Sequence, residues 1–285
     1  MFENQSDKVE LMSSSNLSYV GRLRYIQAVH EPLERQSPDN LVQYFLPILE
    51  RWRHRFLSTK ELDNLRSQPF YYYLLARTKY YDGIFCEAIY NNVQYIVNIG
   101  CGSDTRAHRF GLALKQRGVN VMECDRPEAI SVKQRMAGRL GTAGHIQYFP
   151  LDLNDNAWPD FEHWLNEIKS ARVMVMMEGV SPYVNDDAFS QFLRLLGTKL
   201  SPGSLVAYDF KIRGVADNFG HVGRTESPFR LSHSREHVVA YHKKRGFRLT
   251  HMELSWELEA RLLQDLADSD TPLFRQDALV QIQVE

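Results

Sequence analysis

The run Tyr95-Ile96-Val97-Asn98-Ile99 is short and apolar. It stops at Gly100, and a second glycine, Gly102, follows after one residue. Asp104-Thr105-Arg106 then opens a helical pattern. A strand that ends in closely spaced glycines before a helix is how an open α/β sheet makes room for a nucleotide-like ligand at its first strand tip. Glycine lacks a Cβ and accepts positive φ, so the backbone can approach a ligand at such a turn. This feature limits the possible architecture more than any other part of the chain.

The surrounding pattern extends it. After Val93, short apolar runs alternate with amphipathic helices. Strands are expected at 94–99, 119–124, 146–150, 172–178, 204–209, 247–252 and 278–284. Helices are expected at 104–117, 127–140, 160–169, 186–200 and 234–245. Such alternation implies a largely parallel sheet covered on both faces. The expected fold is α/β: a Rossmann-like, seven-stranded, mostly parallel sheet whose last strand returns antiparallel. Residues 1–16 read as disordered. From Leu17 to about Asn92 the pattern is helical, broken at Pro32, Pro38 and Pro69. Ser58 with Glu61 reads as a capping box, and Pro69 as the first residue of an aromatic-rich helix. The chain therefore divides into a helical cap over 1–92 and a core over 93–285, with a substrate-side insert at about 211–233.

Composition excludes several classes. The 285 residues are 44% hydrophobic and carry a formal net charge of −1, which argues against a nucleic-acid surface. No apolar run approaches the roughly 18 residues of a membrane span. Cys86, Cys101 and Cys124 are too few and too scattered for a disulfide frame or a metal site. The N-terminus has neither the basic nor the apolar part of a secretion signal. A cytoplasmic protein with reduced thiols is expected, with no metal, no nucleic acid and no membrane as partner.

The ligand class follows from the residues around the glycines. Asp125 ends the second strand candidate, where a doubly wound fold places the carboxylate that accepts ribose hydroxyls. Asp152 follows the third strand and could accept from an adenine amino group. Glu178 ends the otherwise apolar Val173-Met174-Val175-Met176-Met177 and could face a cation. A solvated loop acid is the plain alternative for each. The third glycine of a dinucleotide fingerprint would fall at Thr105, and Asp104 would repel a pyrophosphate from the helix start. S-adenosylmethionine fits better, being a cationic nucleoside without phosphate.

Here the chain resembles the leucine carboxyl methyltransferase family, class I S-adenosylmethionine-dependent enzymes. That family includes the enzyme that methylates the C-terminus of the protein phosphatase 2A catalytic subunit. It also includes bacterial O-methyltransferases of specialised metabolism, the branch this chain is most similar to. The matching pieces are Arg77-Thr78-Lys79-Tyr80-Tyr81-Asp82, Asn98 to Arg106, Asp125-Arg126-Pro127, Asp152-Leu153, Glu178-Gly179-Val180-Ser181-Pro182-Tyr183 and Asp217-Asn218-Phe219-Gly220. The resemblance implies that Arg77 clamps the methionine carboxylate and Gly100 faces the cofactor, in a turn shared with Gly102 and Asp104. It implies that Asp125 holds the ribose, Asp152 and the Leu153 backbone read the adenine, and Glu178 lies near the ammonium. Without the resemblance, Arg77 reads as a surface arginine paired with Asp82.

One departure concerns the acceptor. Where the phosphatase-methylating enzymes follow Asp-Leu with an arginine, this chain has Asn154, and an amide cannot pair with a carboxylate in the same way. That favours a hydroxyl acceptor on a small molecule, a polyketide or peptide natural product, free or linked to a carrier protein. A carboxylate held by Arg213 or Arg224 is the alternative, giving a methyl ester on a small acid or a protein C-terminus. A non-catalytic binding module on the same fold is a third reading. An alcohol needs a proton acceptor, for which His221 and His108 are candidates, and Tyr183 is a candidate substrate hydrogen-bonder. Tyr71, Tyr72, Tyr73, Tyr80 and Tyr81 either line an apolar substrate pocket or pack a core.

Overall fold

The computed structural model describes residues 19–141, 143–155, 157–215, 227–264 and 271–285. The expected disorder over 1–16 lies outside them. The chain enters through helix α1 (19–30) and two short 3-10 turns, then α2 (Ile48–Arg55), α3 (Thr59–Arg66) and α4 (Pro69–Tyr90). Strand β1 (Tyr95–Ile99) leads to α5 (Arg106–Arg109), α6 (Gly111–Arg117), β2 (Asn120–Asp125), α7 (Pro127–Ala137) and β3 (Ile146–Pro150). Next come α8 (Pro159–Glu167), β4 (Val173–Met177), α9 (Asp186–Lys199), β5 (Leu205–Ile212), β6 (Arg230–Leu231), α10 (Arg235–Lys243), β7 (Phe247–Leu254), α11 (Ser255–Leu262) and β8 (Asp277–Val284).

The strands lie in the order β3-β2-β1-β4-β5-β8-β7, with the two-residue β6 beside the end of β5. From β3 to β5 every pairing is parallel, while β8 runs antiparallel to both β5 and β7. This is the expected Rossmann-like sheet, with the last strand inserted antiparallel between β5 and β7. Alternation along the strands divides the core in two. Val97, Val175, Met177, Val206 and Tyr208 face α8, α9 and α10, whereas Ile96, Met174, Met176, Ala207 and Leu279 face α4 and α11. A strand buried on both faces reads as a continuous apolar run, as β4 does.

Several expectations change in detail. The helix expected at 104–117 is two pieces, because the chain leaves helical geometry at Phe110 (ψ 12°) just before Gly111. The helix at 127–140 ends in a 3-10 turn at Gly138–Leu140. Helix α11 and the two-residue strand β6 were not among the expected elements. Strand β5 runs on to Ile212 and takes the first two residues of the expected insert, of which 216–226 lie outside the described residues. The capping box is present: Ser58 Oγ accepts the Glu61 N–H and Glu61 Oε2 accepts the Ser58 N–H. Helix α4 is buried on every side over residues 71–78, and its second half turns Lys79, Asp82, Cys86 and Glu87 toward solvent. Tyr71, Tyr73 and Tyr81 are at most 1% exposed, so these aromatics pack the core rather than line an open pocket. Among the described residues no helix is long and apolar enough to cross a membrane, and no cluster of side chains could hold a metal ion.

Candidate functional site

The five parallel strands end on one edge of the sheet, where the loops after β1, β2 and β4 meet helices α1 and α4. Gly100 leaves β1 with φ +65°, and a Cβ there would stand 2.4 Å from Val180 Cγ2. Only glycine fits that contact and that backbone. Gly102 also has positive φ, and its N–H donates to Asp125 Oδ2 at 2.8 Å. Asp125 Oδ1 accepts the Arg126 N–H at 2.8 Å. The carboxyl expected at the tip of β2 is therefore tied to the glycine turn. Burial raises its pKa, against the pull of those two N–H donors.

Asp104 fills the start of α5. Its Oδ1 accepts the Arg106 N–H (2.8 Å) and its Oδ2 accepts from Asn98 Nδ2 (3.0 Å) and Arg106 Nη1 (2.5 Å). Burial opposes its charge, but Arg106, Lys133 and Arg24 win and hold it well below the usual carboxylate range. A carboxylate thus occupies the place where a phosphate would bind, which suits a ligand without phosphate.

Glu178 is the hub. Its Oε1 accepts from Arg24 Nη2 (2.5 Å) and Arg77 Nε (3.2 Å), and its Oε2 from Arg106 Nη1 (2.8 Å). Burial would raise its pKa, but these arginines bring it down. Arg77 also reaches Asp209 Oδ2 (3.4 Å) and is 6% exposed, so it is not a surface arginine. Nor does it pair with Asp82, which instead binds Arg106 Nε (2.7 Å) and Arg109 Nη2 (2.6 Å). Arg24 and Arg109 further approach Asp39, whose Oδ1 accepts from Thr105 Oγ1 (2.5 Å). Four guanidiniums here meet five carboxyl groups, and Lys133, shared with Glu123, adds a further cation beside Asp104.

The acceptor side is less charged. Asp152 Oδ1 accepts the Asn154 N–H (2.9 Å), and Leu153 is buried in the core. The Asn154 side chain braces two loops: Nδ2 donates to Tyr183 O (2.9 Å) and Oδ1 accepts the Asn185 N–H (2.9 Å). Tyr183 is half-buried, and burial raises its phenol pKa. Arg213 lies on the surface and donates to Arg230 O. His221 and Arg224 lie outside the described residues. His108 stands apart from this edge: with Leu114, Gly118, Asn120 and His145 it lines a cleft by the opposite ends of β2 and β3. Burial, helped by Lys133 and His145, pushes its pKa down to about 4, which makes it a poor base.

Sequence reasoning missed Arg24, Asp39 and Asp209, paired Asp82 with Arg77 rather than with Arg106 and Arg109, and gave Arg106 no role. Asp209 carried a signal, as the one acid in the apolar Leu205-Val206-Ala207-Tyr208-Asp209-Phe210. Arg24 carried none, because a single arginine in an amphipathic helix reads as exposed.

A family model described as leucine carboxyl methyltransferase matches residues 22–197. Curated relatives include a candidate S-adenosyl-L-methionine-dependent methyltransferase of Mycolicibacterium smegmatis, 27% identical over 139 residues, which are 48% of this chain and 43% of that protein. Another, of Mycobacterium ulcerans, is 26% identical over 189 residues, 61% of this chain and 60% of the relative. The chain thus spans about half the length of the curated relatives it matches. Similar solved structures include magnesium protoporphyrin IX methyltransferase of Synechocystis PCC 6803 with bound SAH. Its TM-score is 0.47 at 10% identity, over 83% of this chain and 94% of that one. Geranyl diphosphate methyltransferase with GPP and sinefungin has a TM-score of 0.47 at 14% identity, over 74% and 80%.

Proposed function

Because the chain belongs to the leucine carboxyl methyltransferase family, we propose that it is an S-adenosylmethionine-dependent methyltransferase acting on a hydroxyl of a small molecule, free or held on a carrier protein. One observation carries the cofactor part of this reading. The carboxyl group of Asp125 is fixed to the Gly102 turn, while a carboxylate, Asp104, already closes the helix start beside it. Those carboxylate acceptors suit a ribose and a cationic centre, not a phosphate.

Bound there, S-adenosylmethionine supplies an activated sulfonium methyl. The protein's own work is alignment, which can lower a barrier by about 7–11 kcal/mol. Asp125 accepts from the ribose hydroxyls, Asp152 and the Leu153 backbone read the base, and Gly100 lets the main chain come close. Arg77 holds the carboxylate of the amino-acid end, and Glu178 balances its positive centres. As the O–CH3 bond forms and the S–CH3 bond breaks, the acceptor's proton would pass to His221, the candidate base, while Tyr183, kept protonated by burial, hydrogen-bonds the acceptor.

Asn154 supports the hydroxyl acceptor. Its amide is engaged by Tyr183 and Asn185, so that position offers no cation for a carboxylate. The second reading, carboxyl methylation, draws on the family's description and on Arg213 at the end of β5. Isotope-labelled methyl transfer discriminates. A labelled product stable to mild alkali supports the ether. Release of labelled methanol in mild alkali marks a methyl ester and overturns the hydroxyl reading.

A further inference from the structure

Asp209 lies on β5, 1% exposed, and the reaction as described does not use it. Its two oxygens have different surroundings. Oδ1 accepts the Gly179 N–H (2.7 Å) and the Tyr81 O–H (3.1 Å), whereas Oδ2 faces Arg77 Nη1 (3.4 Å). The main-chain oxygen accepts from Ser181 Oγ (2.7 Å). One residue therefore fixes the turn that follows Glu178 at two points and steadies Arg77 from the side opposite Glu178.

We propose that Asp209 is a positioning residue: ionised, it holds Arg77 aligned for the amino-acid end of the cofactor, and a proton on Oδ2 releases that guanidinium. This rests on the reading of the crevice as an S-adenosylmethionine site. The chemistry follows from the donors in place. Two of them occupy Oδ1, so an added proton goes to Oδ2 and meets an Arg77 N–H, donor against donor. Arg77 then keeps its bond to Glu178, an acid it shares with Arg24 and Arg106. The charged and titratable groups facing Asp209 are Arg77, Tyr73, Tyr80 and Tyr81 of α4, Glu178 and Tyr183 after β4, and Asp277 of β8, which pairs with Lys211 of β5 at 2.5 Å. Burial raises Asp209 to about 6 against the pull of Arg77, so the release falls within reach of mild acid.

The test is calorimetric titration of S-adenosylhomocysteine into the full chain over a pH series. The Kd of the wild type is expected to weaken about tenfold between about pH 7.5 and about pH 5.5. Asp209→Asn presents an amide donor to Arg77, as the protonated acid would. It should bind about tenfold more weakly at neutral pH and lose the pH step. A residue that only supported folding would lower Tm and leave the step in place. Tyr81→Phe removes one donor from the ionised carboxylate and should move the midpoint of the step upward. An Asn variant with wild-type affinity and slope overturns the proposal, and so does an unmoved midpoint in Tyr81→Phe. No heat from the wild type at any pH overturns the cofactor reading and this proposal together. Binding that ignores both pH and Asp209 overturns this proposal alone.

Discussion

At the scale of single residues, the glycine turn makes the sharpest demand. Gly100 needs both a left-handed backbone and the space that Val180 leaves. Gly100→Ala is expected to destabilise by about 2–4 kcal/mol, combining backbone strain with overlap. Val180→Ala should relieve the overlap, giving a compensating coupling of about 1–2 kcal/mol in a double-mutant cycle measured by urea unfolding. Strictly additive losses would mean that the two side chains do not meet. Asp125 makes a demand of a different kind, since its carboxyl serves the turn and, on the proposed reading, the ribose. Asp125→Ala should weaken S-adenosylhomocysteine binding at least about tenfold by calorimetry, the loss expected of a buried charge-assisted hydrogen bond. Unchanged affinity would remove Asp125 from the site. Both residues were legible from the chain itself, because a turn that needs glycine and an acid that ends an apolar strand are local signals. Glu178 was legible as an acid at a strand end, but its three arginines were not, since they come from α1, α4 and α5.

At the scale of elements, helix α9 shows which of two effects wins. Gly197 lies in its last turns, where alanine would gain about 1 kcal/mol of helix propensity. A Cβ there would sit 2.0 Å from the Arg245 carbonyl oxygen, a backbone atom in the turn between α10 and β7. Backbone yields less readily than a side-chain tip. Gly197→Ala should therefore destabilise by about 1–3 kcal/mol net, and a thermal melt that rises instead would show that the turn gives way. The elements were largely readable from periodicity, and strand ends mostly fell within a residue or two of their expected places. The exceptions have physical causes. The break at Phe110 follows from local backbone geometry. Helix α11 is short, and its place is set by contacts: Ser255 Oγ donates to Phe274 O, and Glu259 accepts the Phe274 N–H.

At the scale of the whole molecule, buried acids tie stability to pH. Burial raises Glu259 to about 8 and Glu123 to about 7, the latter against Lys133. Each keeps its proton longer when folded than when unfolded, so the folded state binds more protons between the ordinary carboxylate range and those values. Stability should therefore be greatest at the acid end of that window and fall as pH rises through it. Glu259→Gln removes one titration while keeping an acceptor for Phe274. It should be more stable than wild type at about pH 8.5, where the wild-type carboxylate is charged, and about equal at about pH 4, where the wild-type carboxyl is protonated in both states, by urea unfolding. A variant with the wild-type slope would refute the assignment.

By itself the sequence determined the alternation of strands and helices, the glycine turn, the acids at strand ends and the family. These are carried by residue type, by spacing along the chain, or by short contiguous motifs. The tertiary structure decided which charges meet. It brought Arg24, Arg77 and Arg106 onto Glu178 from separate helices, took Asp82 away from Arg77, and gave Asn154 two loops to hold. It also placed Asp209 behind Arg77. Ion pairs and braces of this kind depend on distances of a few ångströms between residues tens of positions apart, and a buried charge settles on whichever partner the packing presents. Chain order does not encode that proximity; the sheet and the helices laid across its edge create it.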